Sequence, residues 1–426
     1  MSREARRRLI LLGLPTFGMA LAVTAVATYL PVVARGERAS TTSIGLIIGT
    51  EGLLALWLPI LVGSWSDRLR TPLGRRLPFV LAGTPVMVAS LCAAGFVGSV
   101  LGLGILVAVF FAGYFVAYEP YRALYPDLLP DEVAGRSQSA QAGWRGLGTG
   151  VALLSGGALL SVSVFLPFCL YAGLLALSVA LFTVLLLRWQ CPEPGAPETA
   201  APSARRAFGQ VASLLREHPA LRVFLLANAL WELALGATKT FVVLYVTAGL
   251  GYSLGQASLI IGGVALLVLA GALVSGRLAD RHGRLRVTEV GLWVYGLSML
   301  VPGVTTLPAA VLVAVPLVAL GGGMLMSLPY SLLMPLMPEG AHGAMTGLYS
   351  LSRGLGVMFG PLLAGLAIEA GHSLFASTQG YAATWWVAGL AILLSILPLR
   401  RLRGEREDRR ELGGDEARRE SSPLPE

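Results

Sequence analysis

The chain has 426 residues, of which 55% are hydrophobic and 13% charged, and its mean hydropathy is +0.71. Soluble proteins carry about 25% charged residues, so this composition excludes an ordinary soluble domain and places the chain in a bilayer. The net charge is +8 and the pI about 9.7, but the basic residues lie in alternate loops rather than on one face, which excludes a nucleic-acid partner.

A transmembrane helix needs about 20 mostly apolar residues. Twelve such runs follow one another, at roughly 9–34, 43–65, 78–98, 101–122, 139–163, 165–187, 220–249, 255–276, 286–304, 307–333, 345–369 and 378–399. The first is too long for the apolar core of a signal peptide and reads as a retained span. The pattern predicts an all-α membrane protein: a first six-helix bundle at 1–187, a linker at 188–219, a second bundle at 220–402 and a disordered tail at 403–426. The linker is Pro- and Ala-rich, and 205–218 reads as an amphipathic helix on the membrane surface. Arginines crowd the loops on one side; Arg35 and Arg38 are the exceptions on the other. Lys/Arg-rich loops stay cytoplasmic, so both termini are predicted inside, with the protein in the plasma (inner) membrane. Cys92, Cys169 and Cys191 are scattered and suggest neither disulfides nor a metal cluster.

Charges at mid-membrane depth cost roughly 3 kcal/mol or more each, which makes them the first candidates for function. In chain order, Glu51 comes first, in Gly49-Thr50-Glu51-Gly52, about a third of the way down the second run from the outer face. It is a candidate proton or cation carrier, or a protonated carboxyl bonded within its own bundle. Glu119 and Arg122 follow, one turn apart near the inner end of the fourth run, as a gating pair or a static one. The seventh run holds Asn228, Trp231, Glu232 and Lys239, the chain's single lysine. Glu232 is a substrate or proton-site candidate. Lys239, two turns on, can hold an anionic group, pair with Glu51, or snorkel to the interface. Trp231 suits stacking on a sugar ring or packing in a core.

A charged turn after the second run organises the chain. Gly63-Ser64-Trp65-Ser66-Asp67-Arg68 leads through an insert to Gly74-Arg75-Arg76, and it recurs as Gly276-Arg277-Leu278-Ala279-Asp280-Arg281-His282-Gly283-Arg284. The Gly63/Gly276 and Asp67/Asp280 pairs are each 213 positions apart. Pro120-Tyr121-Arg122-Ala123-Leu124-Tyr125-Pro126 resembles Pro329-Tyr330-Ser331-Leu332-Leu333-Met334-Pro335, and Arg145-Gly146-Leu147-Gly148 matches Arg353-Gly354-Leu355-Gly356. Two parallel six-helix halves with a substrate site at the midplane between them are the arrangement of the major facilitator fold. The turn and the repeat resemble the major facilitator superfamily over the whole chain. The longer first turn, Ser66-Asp67-Arg68 through Gly74-Arg75-Arg76-Leu77-Pro78-Phe79, is similar to that of glycoside–cation symporters of the sucrose-carrier type. So are Arg122-Ala123-Leu124 and Asp127-Leu128.

The resemblance implies that the turn cluster latches the cytoplasmic side shut. Gly63, Asp67, Arg68, Gly74, Arg75, Arg76 and Asp127 would serve in the first half, and Gly276, Asp280, Arg281, Gly283 and Arg284 in the second. Arg145 and Arg353 read as gate partners of the acidic residues, or as arginines fixed on backbone carbonyls. The expected function is a secondary transporter without cofactor, a proton- or sodium-coupled symporter of a sugar or glycoside, acting as a monomer. The alternatives are a proton-antiport exporter of drugs or metabolites, or a membrane receptor or assembly factor that tolerates loss of Glu51, Glu119 and Glu232 together. An enzyme is not expected, because His218, His282, His342 and His372 show no metal or nucleophile spacing. No phosphate-binding Gly-x-x-x-x-Gly-Lys-Ser/Thr loop occurs.

Overall fold

The computed structural model describes residues 10–128, 134–188, 209, 213, 215–334 and 342–402. The proposed surface helix falls mostly outside these residues, and the tail from 403 lies wholly outside them. The helices are α1 (Ile10–Gly36), α2 (Thr41–Ala55 and Leu58–Arg68), α3 (Leu77–Ala94), α4 (Val100–Leu128), α5 (Ala134–Val162) and α6 (Phe165–Arg188). The second half repeats the series as α7 (Pro219–Gly249), α8 (Leu254–His282), α9 (Arg284–Val304), α10 (Pro308–Ser327), α11 (His342–Ala370) and α12 (Ala383–Leu402). Eleven helices are long and apolar enough to cross a membrane, or twelve if the bent pair forming α2 is one span. The expected all-α, twelve-helix class is the one observed.

The break in α2 has a covalent cause. Pro59 cannot donate to the carbonyl of Ala55, and its ring crowds that carbonyl, so the two pieces meet at 40°. The α1 and α7 helices each open into a five-residue π-helical segment, Ala25–Tyr29 and Tyr245–Gly249. Helix starts carry local caps. The Ser40 hydroxyl accepts from the Ser43 amide at 3.1 Å at the start of α2, and Ser253 with Gln256 forms a capping box on α8.

Within the first half, α3 packs on α4 and α6, and α1 on α5 and α6; the same pairs recur six helices later as α9 with α10 and α12, and α7 with α11 and α12. The halves meet along α2–α11 and α5–α8, two seams that the repeat exchanges. Glycines let backbones touch there, as small residues do in membrane helix pairs. A Cβ on Gly45, Gly49 or Gly52 would run into the carbonyls of Pro361, Met358 or Gly354. One on Gly157 would strike Leu254.

Hydrogen bonds close the seams at the end opposite the charged turns. Thr41 Oγ1 donates to Gly365 O at 2.8 Å, Tyr29 OH and Ser258 Oγ share a bond of 2.8 Å, and the Gly157 amide donates to Ser258 Oγ at 2.7 Å. At the turn-bearing end the second piece of α2 packs on α4 of its own half. Several bonds there also stay within a half: Asp67–Arg76 at 2.8 Å, Arg284 to Ser331 O at 3.1 Å and Arg400–Glu289 at 2.7 Å.

Candidate functional site

Near the middle of the bundle, charges from both halves converge on one pair of tyrosines. Helical spacing puts Tyr114, Tyr118 and Arg122 on one face of α4, four residues apart. Tyr114 and Tyr118 stack with centroids 4.8 Å apart and ring planes 16° apart. Arg145, brought in by α5, donates to the Tyr118 hydroxyl. The guanidinium carbons of Arg122 and Arg145 lie 5.6 Å and 5.8 Å from the Tyr118 ring centroid, within cation–π range. Glu119 stands 3.8 Å from Arg122.

The second half contributes an ion pair of its own. Glu232 on α7 and Arg353 on α11 lie 3.7 Å apart. Glu51 of the first half, only 8% exposed, acts electrostatically on both members of that pair. Arg353 in turn acts on Tyr114 and Arg122. The side chains of Arg353 and Arg122 nonetheless remain 48% and 40% exposed. Arginines set this deep among helices yet wetted line a cleft between the halves.

The structure thus brings Glu51, Glu119, Arg122, Arg145, Glu232 and Arg353 together. Of the two arginines read as partners of acidic residues, Arg353 sits on Glu232, whereas Arg145 sits on Tyr118. Those two partners are not themselves duplicated, so equivalent arginines acquire different roles.

Three expectations for α7 change. Trp231 is 1% exposed, donates to Ser395 Oγ at 2.7 Å and packs edge-on against Phe224. It is a core residue between α7 and α12 and cannot stack on a solute in this conformation. Asn228 is buried and donates to Ser352 Oγ at 2.8 Å, which fixes α11 one residue before Arg353. Lys239 is half-buried and forms no ion pair with Glu51 or Glu232 among the described residues. Two turns of helix from Glu232 exceed the reach of a direct bridge.

The turn residues stand apart from the cleft. Asp67 is held by Arg76, whose guanidinium also donates to Ser66 Oγ at 2.8 Å. Arg75 is buried, and Arg68 is exposed. Gly74 and Gly283 share a left-handed backbone, both at φ 87°. Asp280, Arg281 and Arg284 are exposed, and a Cβ on Gly63 or Gly276 would meet nothing within 4 Å. Asp127 lies in the last turn of α4, with its side chain outside the described residues. Sequence reasoning passed over Tyr114 and Tyr118. Their spacing of four residues, continued by Arg122, was the available signal.

The family model described as Major Facilitator Superfamily matches residues 12–248 and 232–425. The chain belongs to the Major Facilitator Superfamily. As a member it is a multi-pass membrane transporter with two pseudo-symmetric halves, and the cleft lies where the superfamily's two halves meet. Solved structures share the fold. A mutant of the nucleoside transporter NupG matches with TM-score 0.76 and 16% identity, covering 93% of this chain and 99% of that one. A bacterial homologue of the human lysosomal transporter Spinster, inward-facing and occupied, gives 0.74 and 15%, covering 95% and 98%. An inward-facing bacterial homologue of the iron transporter ferroportin gives 0.71 and 16%, covering 94% and 99%. Among curated relatives, Solute carrier family 45 member 3 of Mus musculus is 30% identical over 135 residues, 31% of this chain. Multidrug resistance protein 3 of Bacillus subtilis (strain 168) is 26% identical over 102 residues, 24% of this chain. Each match spans 20% of the relative's length.

Proposed function

We propose that the protein is a proton-coupled secondary transporter that imports a sugar or glycoside by alternating access. The observation that carries this reading is the Glu232–Arg353 pair in the wetted cleft, with Glu51 of the other half acting on both members. Opposite charges about 4 Å apart attract, and water in the cleft screens that attraction. A proton on Glu232 removes that attraction and frees Arg353 for a solute group or for Glu51. Binding of proton and solute would then change the contacts between the halves together, which is what coupling requires.

The sugar class is supported by the symporter-like turn and by Arg122-Ala123-Leu124. The partial match to a multidrug resistance protein favours a second reading, proton-driven export. The arginine distribution supports a cytoplasmic position for the turn-bearing end in the plasma or inner membrane. With that orientation, the seam bonds support an inward-facing reading of this conformation. Two halves that enclose the site support a monomer.

Purified protein in liposomes tests the proposal. Labelled mono- and disaccharides are offered with and without an inward proton gradient. The expected result is gradient-driven accumulation that Glu232→Gln or Glu51→Gln abolishes. Proton movement triggered by lipophilic drugs, without sugar accumulation, would favour the exporter. Full accumulation in both variants would remove the coupling role of the carboxylates.

A further inference from the structure

At the end opposite the charged turns, one carboxylate reaches from one half to the other. Glu369, in the last turn of α11, accepts the Thr42 amide on Oε1 at 3.1 Å and the Thr42 hydroxyl on Oε2 at 2.7 Å. Thr42 lies in the first turn of α2, where amide groups lack helical partners and the helix dipole favours an anion. Ser40 of the same chain segment already caps Ser43. The Thr42 amide is thus served by the opposite half, not by its own helix.

A cavity of about 130 Å³ opens beside this contact, lined by Arg35, Ser40, Thr41, His372, Gln379 and Tyr381 as well as Glu369. It gives water a path to the carboxylate. Arg35 comes from the end of α1, and His372, Gln379 and Tyr381 come from the α11–α12 connection. These are the charged and titratable groups around the contact, and none forms an ion pair with Glu369 among the described residues. Two non-glycine residues with left-handed backbone flank it, Arg38 at φ 61° and Gln379 at φ 52°.

We propose that Glu369 is a clasp that holds this end of the transporter shut by capping α2 from the other half, and that protonation opens it. A neutral carboxyl loses the charge that both Thr42 bonds and the helix dipole favour. The clasp is therefore made when Glu369 is ionised and is lost as pH falls. On the reading above, this end faces outside, so an acidic exterior favours outward opening. The contact itself is independent of which solute is carried.

The test measures distance, not transport. Spin labels at Val164→Cys and Leu374→Cys, exposed positions on the two halves at this end, go into the full chain with Cys92, Cys169 and Cys191 replaced. The closed form gives a short distance and the open form a long one. At neutral pH, Glu369→Gln and Thr42→Val are expected to raise the open-to-closed ratio by about tenfold, the weight of one charge-assisted bond. Thr42→Ser, which keeps both donors, should behave as the parent. Lowering the pH to about 3, well below the ordinary glutamate value of about 4.3, should open the parent but not change Glu369→Gln further. His372→Ala should retain the acid response. Unchanged distances in both Glu369→Gln and Thr42→Val would overturn the clasp. An acid response that persists in Glu369→Gln would overturn its release by protons. Neither outcome depends on sugar uptake, so failure of the transport reading is seen separately.

Discussion

The two copies of the charged turn share a positive-φ glycine and differ in length and in how they are held. In the first copy Asp67 is pinned by Arg76, which is largely buried and also bonded to Ser66. In the second, Asp280 and Arg281 are exposed, and Asp280 has no ion pair among the described residues. The glycine that ends each copy nevertheless has the same φ of 87°. Duplication kept the positive-φ glycine in both copies, while the Asp–Arg lock is present in the first. A shared glycine therefore does not imply a shared mechanical role: in the first turn Arg76 holds Asp67, and in the second Asp280 forms no ion pair among the described residues.

The sharpest way to break this contrast is to remove Arg76. Arg76→Ala leaves Asp67 and Ser66 without their donor and should lower stability by about 2–3 kcal/mol. Thermal unfolding in detergent reads this as a drop in midpoint, and Arg284→Ala in the second turn, which removes a bond to the Ser331 carbonyl, should lower it far less. Next in size are the two glycines. An alanine in left-handed backbone is strained by roughly 1–2 kcal/mol, so Gly74→Ala and Gly283→Ala should lose similar amounts. A clear inequality would mean that the common dihedral is not a common constraint. Smallest is Asp280→Asn, which should fall within about 0.5 kcal/mol of the parent, as exposed substitutions do. Asp67→Asn, by comparison, should destabilise measurably. If Asp280→Asn proves as damaging as Asp67→Asn, the second turn is locked after all.

Much of the fold was legible because bilayer thickness fixes helix length, and the duplicated turn fixes the halves. The break in α2 was harder to read. Pro59 bends its helix, but Pro85, Pro302, Pro316 and Pro361 lie inside continuous helices. Whether a proline breaks a helix depends on what packs over the freed carbonyl, which local sequence does not contain. In the cleft, Glu51, Glu232 and Arg353 stood out because buried charge is rare. Of the two readings of Trp231, the core one holds for a geometric reason: neighbours on a helix point about 100° apart. With Glu232 turned to α11, Trp231 must face elsewhere, and it faces α12. Tyr114 and Tyr118 escaped notice because tyrosines are common in such helices, and only the tertiary fold sets two arginines on one of their rings.

The chain's single lysine has a practical consequence. Lys239 is half-buried on α7, and it carries the one primary amine among the chain's side chains. Every other basic side chain except histidine is an arginine, inert to reagents that acylate amines. An acylating reagent confined to one face of the membrane would therefore modify one side chain inside the bundle. The extent of labelling would report, turn by turn of the cycle, when that face has access to it.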